Sequence, residues 1–154
     1  MNWTTICVLL ILTIILELES VQVDYTAAFV HAPIGEKDVF VEMPKGHTID
    51  GKVYRLKKSL YGLKQAPRNF YQHLKSTLEG IGFECLTDVD PCLFVSPKAI
   101  CVVYVDDTII SAQTREDIDA VIDGLKKAGL TVEIEDDMAG FSECKLHPTK
   151  LTRL

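Results

Sequence analysis

Two adjacent carboxylates, Asp106 and Asp107, stand in Tyr104-Val105-Asp106-Asp107 between two apolar runs rich in β-branched residues, Ala99 to Val103 and Thr108 to Ser111. Such runs read as buried strands, which puts both aspartates in the tight turn of a hairpin. Ionised carboxylates side by side repel each other and are costly near a core. A divalent cation relieves that cost. Magnesium takes oxygen ligands and uses one or two protein carboxylates together with substrate phosphates. The chemistry this arrangement suggests is two-metal phosphoryl transfer. Taken alone, the pair is explained somewhat better as ordinary solvated turn residues, since Asp favours turns.

A metal site of that kind needs a further carboxylate on a neighbouring strand end. Asp24 is the candidate, lying at the end of the alternating Val21-Gln22-Val23-Asp24-Tyr25; an Asp there also serves as a cap or turn residue. A second chemistry-bearing stretch is basic. Lys52, Arg55, Lys57, Lys58, Lys64 and Arg68 fall within seventeen residues that contain no acid. On a chain with a net charge of −6, such a block points either to local phosphate contact or to a solvated basic face. Within it, Gly62 permits close backbone approach, and Pro67 opens a helix whose N-terminus favours an anion.

The elements that must position these residues follow from periodicity. The 154 residues, 47% hydrophobic and 25% charged, suffice for one globular domain with a real core. Ile6 to Leu16 is apolar except for Thr13. It is too short for the ~20 residues that span a bilayer, and it lacks a basic n-region or an A-x-A cleavage site. It reads as a buried helix capped by Asn2 or Thr4. Strands are expected at Val21 to Tyr25, Val39 to Met43 and Lys52 to Leu56, with a turn over Gly46 to Gly51. Phe70, Leu74, Leu78 and Ile81 form a helical stripe ended by Gly82. Cys92 to Val95 is a short strand leading into the Ala99 strand. Thr114 to Asp117 is a capping box for a helix lined by Ile118, Val121, Ile122 and Leu125, with Gly129 at its end. Leu130 to Ile134 closes the pattern as a strand. The expected class is α+β, an antiparallel sheet backed by helices. The five cysteines, Cys7, Cys85, Cys92, Cys101 and Cys144, are odd in number, form no CxxC and sit mostly in apolar runs. They read as free thiols without a disulfide partner, in an intracellular compartment.

Three segments, in order, resemble the palm of a reverse transcriptase, the RNA-directed DNA polymerase of Ty1/copia-class LTR retrotransposons: Val23 to Phe29, Leu56 to Arg68, and Tyr104 to Asp107. Val41 to Gly46 and Asp88 to Phe94 are similar to intervening blocks of that family. The block ending Gln65-Ala66-Pro67-Arg68 is the most specific of these, and with it the balance turns from solvated turn residues to a metal site. The resemblance covers about Asn2 to Phe141. It implies a ferredoxin-like polymerase palm and template-directed nucleotidyl transfer with Mg²⁺, for which Mn²⁺ substitutes. Asp24, Asp106 and Asp107 would be the catalytic and metal-binding residues. Phe29, Tyr61 and Gly62 would border the incoming nucleotide, Phe29 as the gate against a 2′-hydroxyl. Lys64, Arg68 and Tyr104 would contact template, primer or phosphates. The partners implied are an RNA or DNA template-primer and deoxynucleoside triphosphates, with no membrane.

The sequence also departs from that family. Its fingers strands would precede Met1, and past Phe141 the expected Leu-Gly is replaced by Ser142-Glu143-Cys144. The expectation is therefore a palm over residues 1–141 without complete fingers and thumb, followed by a divergent, frameshifted tail over 142–154. Little or no processive synthesis is expected of it. Two other readings stay open, a non-catalytic nucleic-acid-binding or interaction module and a small secreted or membrane-anchored protein directed by Ile6 to Leu16. Asp88-Val89-Asp90 also matches a glycosyltransferase D-x-D, which Pro91 makes a chance match.

Overall fold

Alternation of apolar and polar side chains over Glu19–Tyr25 (β1) produces a strand with two different faces, and the rest of the fold is built on both. The computed structural model describes residues 2–35, 38–43, 46–47 and 52–135. Six antiparallel strands form the main sheet: β1, then Glu84–Cys85 (β4), Leu93–Val95 (β5), Ala99–Tyr104 (β6), Asp107–Ala112 (β7) and Val132–Glu135 (β8). Their spatial order is β4-β5-β6-β7-β1-β8. Phe40–Val41 (β2) and Tyr54–Arg55 (β3) pair separately as a two-stranded ribbon. They are shorter than the strands expected over 39–43 and 52–56.

One face of the sheet carries Val21, Val23, Tyr25, Cys101, Val103 and Ile110 against two amphipathic helices. Helix Ala66–Gly80 (α3) begins with Pro67 in its first turn and buries Ala66, Phe70, Leu74 and Leu78, four residues apart along one side. Helix Arg115–Lys127 (α4) starts at Thr114, whose side chain accepts the Asp117 N–H at 3.3 Å, as the capping box predicts. It buries Ile118, Val121, Ile122 and Leu125. Gly124 of α4 lies against Ile81, the residue that caps the C-terminus of α3, and an added Cβ there would meet the Ile81 side chain at 3.2 Å. Each fully buried Leu or Phe here contributes roughly 1.5–3 kcal/mol, and Leu74→Ala would cost about 2–5 kcal/mol.

Helix Trp3–Ile15 (α1) lies on the opposite face, where Leu9 packs on Val102 and Ile109. Asn2 caps it by accepting the Thr4 N–H at 3.1 Å, but the expectation of a buried helix is corrected. Only Ile6 and Leu9 are buried, while Ile14 and Ile15 are 65% and 69% exposed. A helix apolar all round has no single face to bury, and this sheet accepts one side of it. No helix among the described residues is long and apolar enough to cross a membrane. The four described cysteines, Cys7, Cys85, Cys92 and Cys101, are free thiols. The tail from residue 142, with Cys144, lies outside the described residues, as does most of the expected turn at Gly46 to Gly51.

Candidate metal and nucleotide site

Strands β1 and β7 pair so that Asp24 and Asp107 are direct cross-strand partners. Residues in that relation have Cβ atoms about 4.5–5.5 Å apart on one face. The register is fixed by two side-chain links across the strands: Ser20 to Ser111 at 2.8 Å, and the Tyr25 hydroxyl donating to Thr108 Oγ1 at 3.1 Å. The second lies on the helix-covered face, so the buried side of the sheet holds the aspartates of the other side in place.

The hairpin turn differs from the expected one. Its two residues are Val105 and Asp106, and Asp107 already belongs to β7, opposite Tyr104. Val105 sits at φ 56°, in the left-handed region, which a β-branched residue adopts only under strain. Thus, of the two adjacent aspartates, only Asp106 is a turn residue. Burial, then the charge of Asp106, then that of Glu133 push the Asp24 carboxyl above the ordinary range, against the opposing pull of the Tyr25 N–H. Burial and Asp106 do the same for Asp107, joined by Asp24 and Glu135 and opposed by a hydrogen bond from Gln22.

Glu133 and Glu135 were not foreseen. They face this site because β8 pairs with the other edge of β1, setting Glu133 opposite Asp24 and Glu135 opposite Gln22. Thr26 donates to Glu133 Oε1 at 2.6 Å. Gln22 is buried and donates from Nε2 to Asp107 Oδ1 at 3.4 Å. Among the described residues no three His, Cys, Asp or Glu side chains are already gathered to hold a metal ion. The donor chemistry nevertheless suits a hard cation, being carboxylate oxygens that repel one another.

Beyond Asp24 the backbone turns through Ala27, also left-handed at φ 53°, into the short helix Ala28–His31 (α2). This turn delivers Phe29 into a nearly buried position, 4.5 Å from the Tyr61 ring and 6.2 Å from that of Phe70. Tyr61 covers Phe29 from outside and is itself 54% exposed. Gly62 adopts φ 93° with open space where a Cβ would stand. Its backbone angle, more than crowding, is what calls for glycine. The loop before α3 is tied down by Asn69, whose Nδ2 donates to Ser59 Oγ at 3.0 Å and to the Ile34 carbonyl at 3.1 Å.

The structure therefore joins Asp24 with Asp107 beside Asp106, and Phe29 with Tyr61. Tyr104 ends β6 on the aspartate face, half-exposed. Lys64 and Arg68 are exposed at the start of α3, and neither pairs with these aspartates among the described residues. Lys58 donates to the His31 carbonyl at 2.9 Å. His73 is held below the ordinary range by burial and by the nearby charges of Lys58 and His31. Arg55 is paired with Asp38 at 2.8 Å. Asp88-Val89-Asp90 is no sugar-nucleotide motif in this fold: Asp90 is buried and accepts from the Asn2 N–H, the Thr5 hydroxyl and the Cys92 N–H.

Comparison with known proteins covers the stretch that holds these residues. The family model described as reverse transcriptase (RNA-dependent DNA polymerase) matches residues 1–142. A retrovirus-related Pol polyprotein from transposon TNT 1-94 of Nicotiana tabacum is 36% identical over 120 residues, covering 73% of this chain and 9% of that protein. The transposon Ty1-GR1 Gag-Pol polyprotein of Saccharomyces cerevisiae is 33% identical over 106 residues, covering 68% of this chain and 6% of its own length.

Proposed function

The chain belongs to the reverse transcriptase (RNA-dependent DNA polymerase) family, in its Ty1/copia class, and on that footing we propose that Asp24, Asp106 and Asp107 form a two-metal nucleotidyl-transfer site. The family works with divalent metal ions on template-primer and nucleotide substrates. The observation that carries the proposal is the direct β1–β7 pairing of Asp24 with Asp107, where burial and then the charge of Asp106 in the adjoining turn raise the pKa of both. Bound there, Mg²⁺ would activate a primer 3′-hydroxyl and neutralise the pyrophosphate that leaves.

The protein's own part is positional. Asp24 and Asp107 offer oxygens from adjacent strands, and Asp106 adds charge from the turn. Phe29, buttressed by Tyr61 and Phe70, closes the side where a nucleotide sugar would lie and leaves no room for a 2′-hydroxyl. Gly62 leaves its backbone open to the nucleotide. Lys64 and Arg68, at the exposed start of α3, meet phosphates, and Tyr104 supports the primer end. The substrates proposed are a template-primer and deoxynucleoside triphosphates.

Calorimetric titration of the 154-residue chain with MnCl₂ tests the reading. Binding that is lost in Asp24→Asn and in Asp107→Asn is the expected result. Metal-independent nucleic-acid binding, unaltered in both variants, would instead favour a non-catalytic nucleic-acid-binding module.

A further inference from the structure

Gln22 is the residue of this face that neither the sequence reading nor the aspartate set accounts for. It stands on β1 two residues before Asp24, so strand alternation puts both side chains on one face. Its cross-strand partners are Ile109 on β7 and Glu135 on β8. It is 3% exposed. The amide nitrogen donates to Asp107 Oδ1 at 3.4 Å, and that orientation is the chemically required one, since the reverse would set oxygen against oxygen. The amide oxygen, bonded to the same carbon, is buried and has no hydrogen-bond partner among the described residues. A buried amide oxygen is almost always satisfied by protein or ordered water. The charged groups beside Gln22, Asp107 through the hydrogen bond and Glu135 across the β1–β8 pair, are carboxylates, which when ionised supply only acceptors and cannot satisfy it.

We propose that Gln22 is a positioning residue of the metal site: its N–H fixes Asp107, and its free oxygen receives a hydrogen from a water in the hydration shell of a divalent cation held by Asp24 and Asp107. The inference rests on the reading of these aspartates given above. The chemistry fits on both sides. Magnesium keeps several of its waters when protein-bound, and such waters are strong donors. A neutral amide orients a ligand without adding to the negative charge of Asp24, Asp106, Asp107, Glu133 and Glu135. Groups in this outer position commonly change metal affinity 10- to 100-fold.

The test is Mn²⁺ titration of the whole chain and of Gln22→Met, which keeps length and burial but removes donor and acceptor. The expected result is a dissociation constant raised about ten-fold or more, with a metal-free melting temperature unchanged or higher because an unsatisfied oxygen is gone. A purely structural Gln22 would give the opposite pattern, a lower melting temperature with Mn²⁺ affinity intact, and that result overturns the proposal. On wild-type protein, NMR supplies a second readout independent of the variant's folding. Titration with diamagnetic Mg²⁺ should shift the Gln22 side-chain NH₂ signals, and Gln22 signals that stay in place while the Asp24 and Asp107 amides move would overturn it. Absence of any Mn²⁺ binding by wild type overturns the aspartate site as well, whereas equal binding by Gln22→Met removes only the role of Gln22.

Discussion

The carboxylate of Asp90 accepts the main-chain N–H of Asn2 at 2.6 Å across 88 positions of sequence, and so ties the first turn of α1 to the loop between β4 and β5. The same carboxylate takes the Thr5 hydroxyl at 2.8 Å and the Cys92 N–H at 2.9 Å. Burial alone would raise its pKa, but these donors more than offset burial and hold it below the ordinary value of 3.8. A depressed carboxylate adds stability above its unfolded pKa, and that stability is lost as pH falls through the folded value. The contribution of Asp90, read as the stability difference between wild type and Asp90→Ala, should therefore shrink below about pH 4, while Asp24 and Asp107, with raised pKa values, act in the opposite sense. Asp90→Ala should cost about 2–3 kcal/mol at pH 7, measured by urea unfolding. A change within about 0.5 kcal/mol would show that the tie contributes nothing.

Removing one charge from the aspartate face should stabilise the metal-free protein. Asp24 and Asp107 are pressed together with Asp106, and both are partly solvated, so the gain from Asp24→Asn is at most about 1 kcal/mol. Saturating Mn²⁺ should reverse the order, raising the melting temperature of wild type and leaving the variant where it was. Melting curves with and without the ion check both halves.

Val105 at φ 56° carries strain that a glycine would not. Val105→Gly should stabilise the hairpin by about 0.5–1 kcal/mol, because the half-exposed side chain gives up little burial. Loss of stability in chemical unfolding would mean that the turn is held by packing of the valine instead.

Phe29 and Tyr61 touch each other, but they differ in what they support. Phe29→Ala empties a buried site between two rings and should cost about 3 kcal/mol or more. Tyr61→Ala trims an exposed ring and should cost less than about 1 kcal/mol. Equal losses in denaturant titrations would show that the two rings bury one another as a unit.

Much of this architecture is legible in periodicity. Val21 to Tyr25, the β6–β7 hairpin and the helices over Phe70 to Leu78 and Ile118 to Leu125 all announce themselves, because each alternates or repeats against a buried face. What escapes is whatever depends on neighbours distant in sequence. The run Ile6 to Leu16 is apolar on every side and carries no sign of how much of it the sheet covers. The turn lies one residue earlier than expected, over Val105 and Asp106, and nothing local predicts it, because valine is a poor turn former and rarely left-handed. Gln22 shares a face with Asp24 by simple alternation and could have been read from that. Glu133 and Glu135 could not, since their approach depends on β8 lying beside β1. The three aspartates stood as metal-site candidates from residue type and position, with turn and cap readings open, and motif resemblance turned that balance and brought in the role of Phe29.

The position of β1 between β7 and β8 sets an order of assembly. Its partners run from Asp107 to Ala112 on one side and from Val132 to Glu135 on the other, so a ribosome must release most of the chain before β1 can pair at all. Pairings this remote are slow to close. Through that interval the apolar helix from Trp3 to Ile15 waits without a sheet to rest on, a natural target for a holdase chaperone and for self-association. Nascent chains arrested before residue 107 should leave the backbone amides of Val21 and Val23 open to exchange, and chains arrested well beyond residue 135 should protect them.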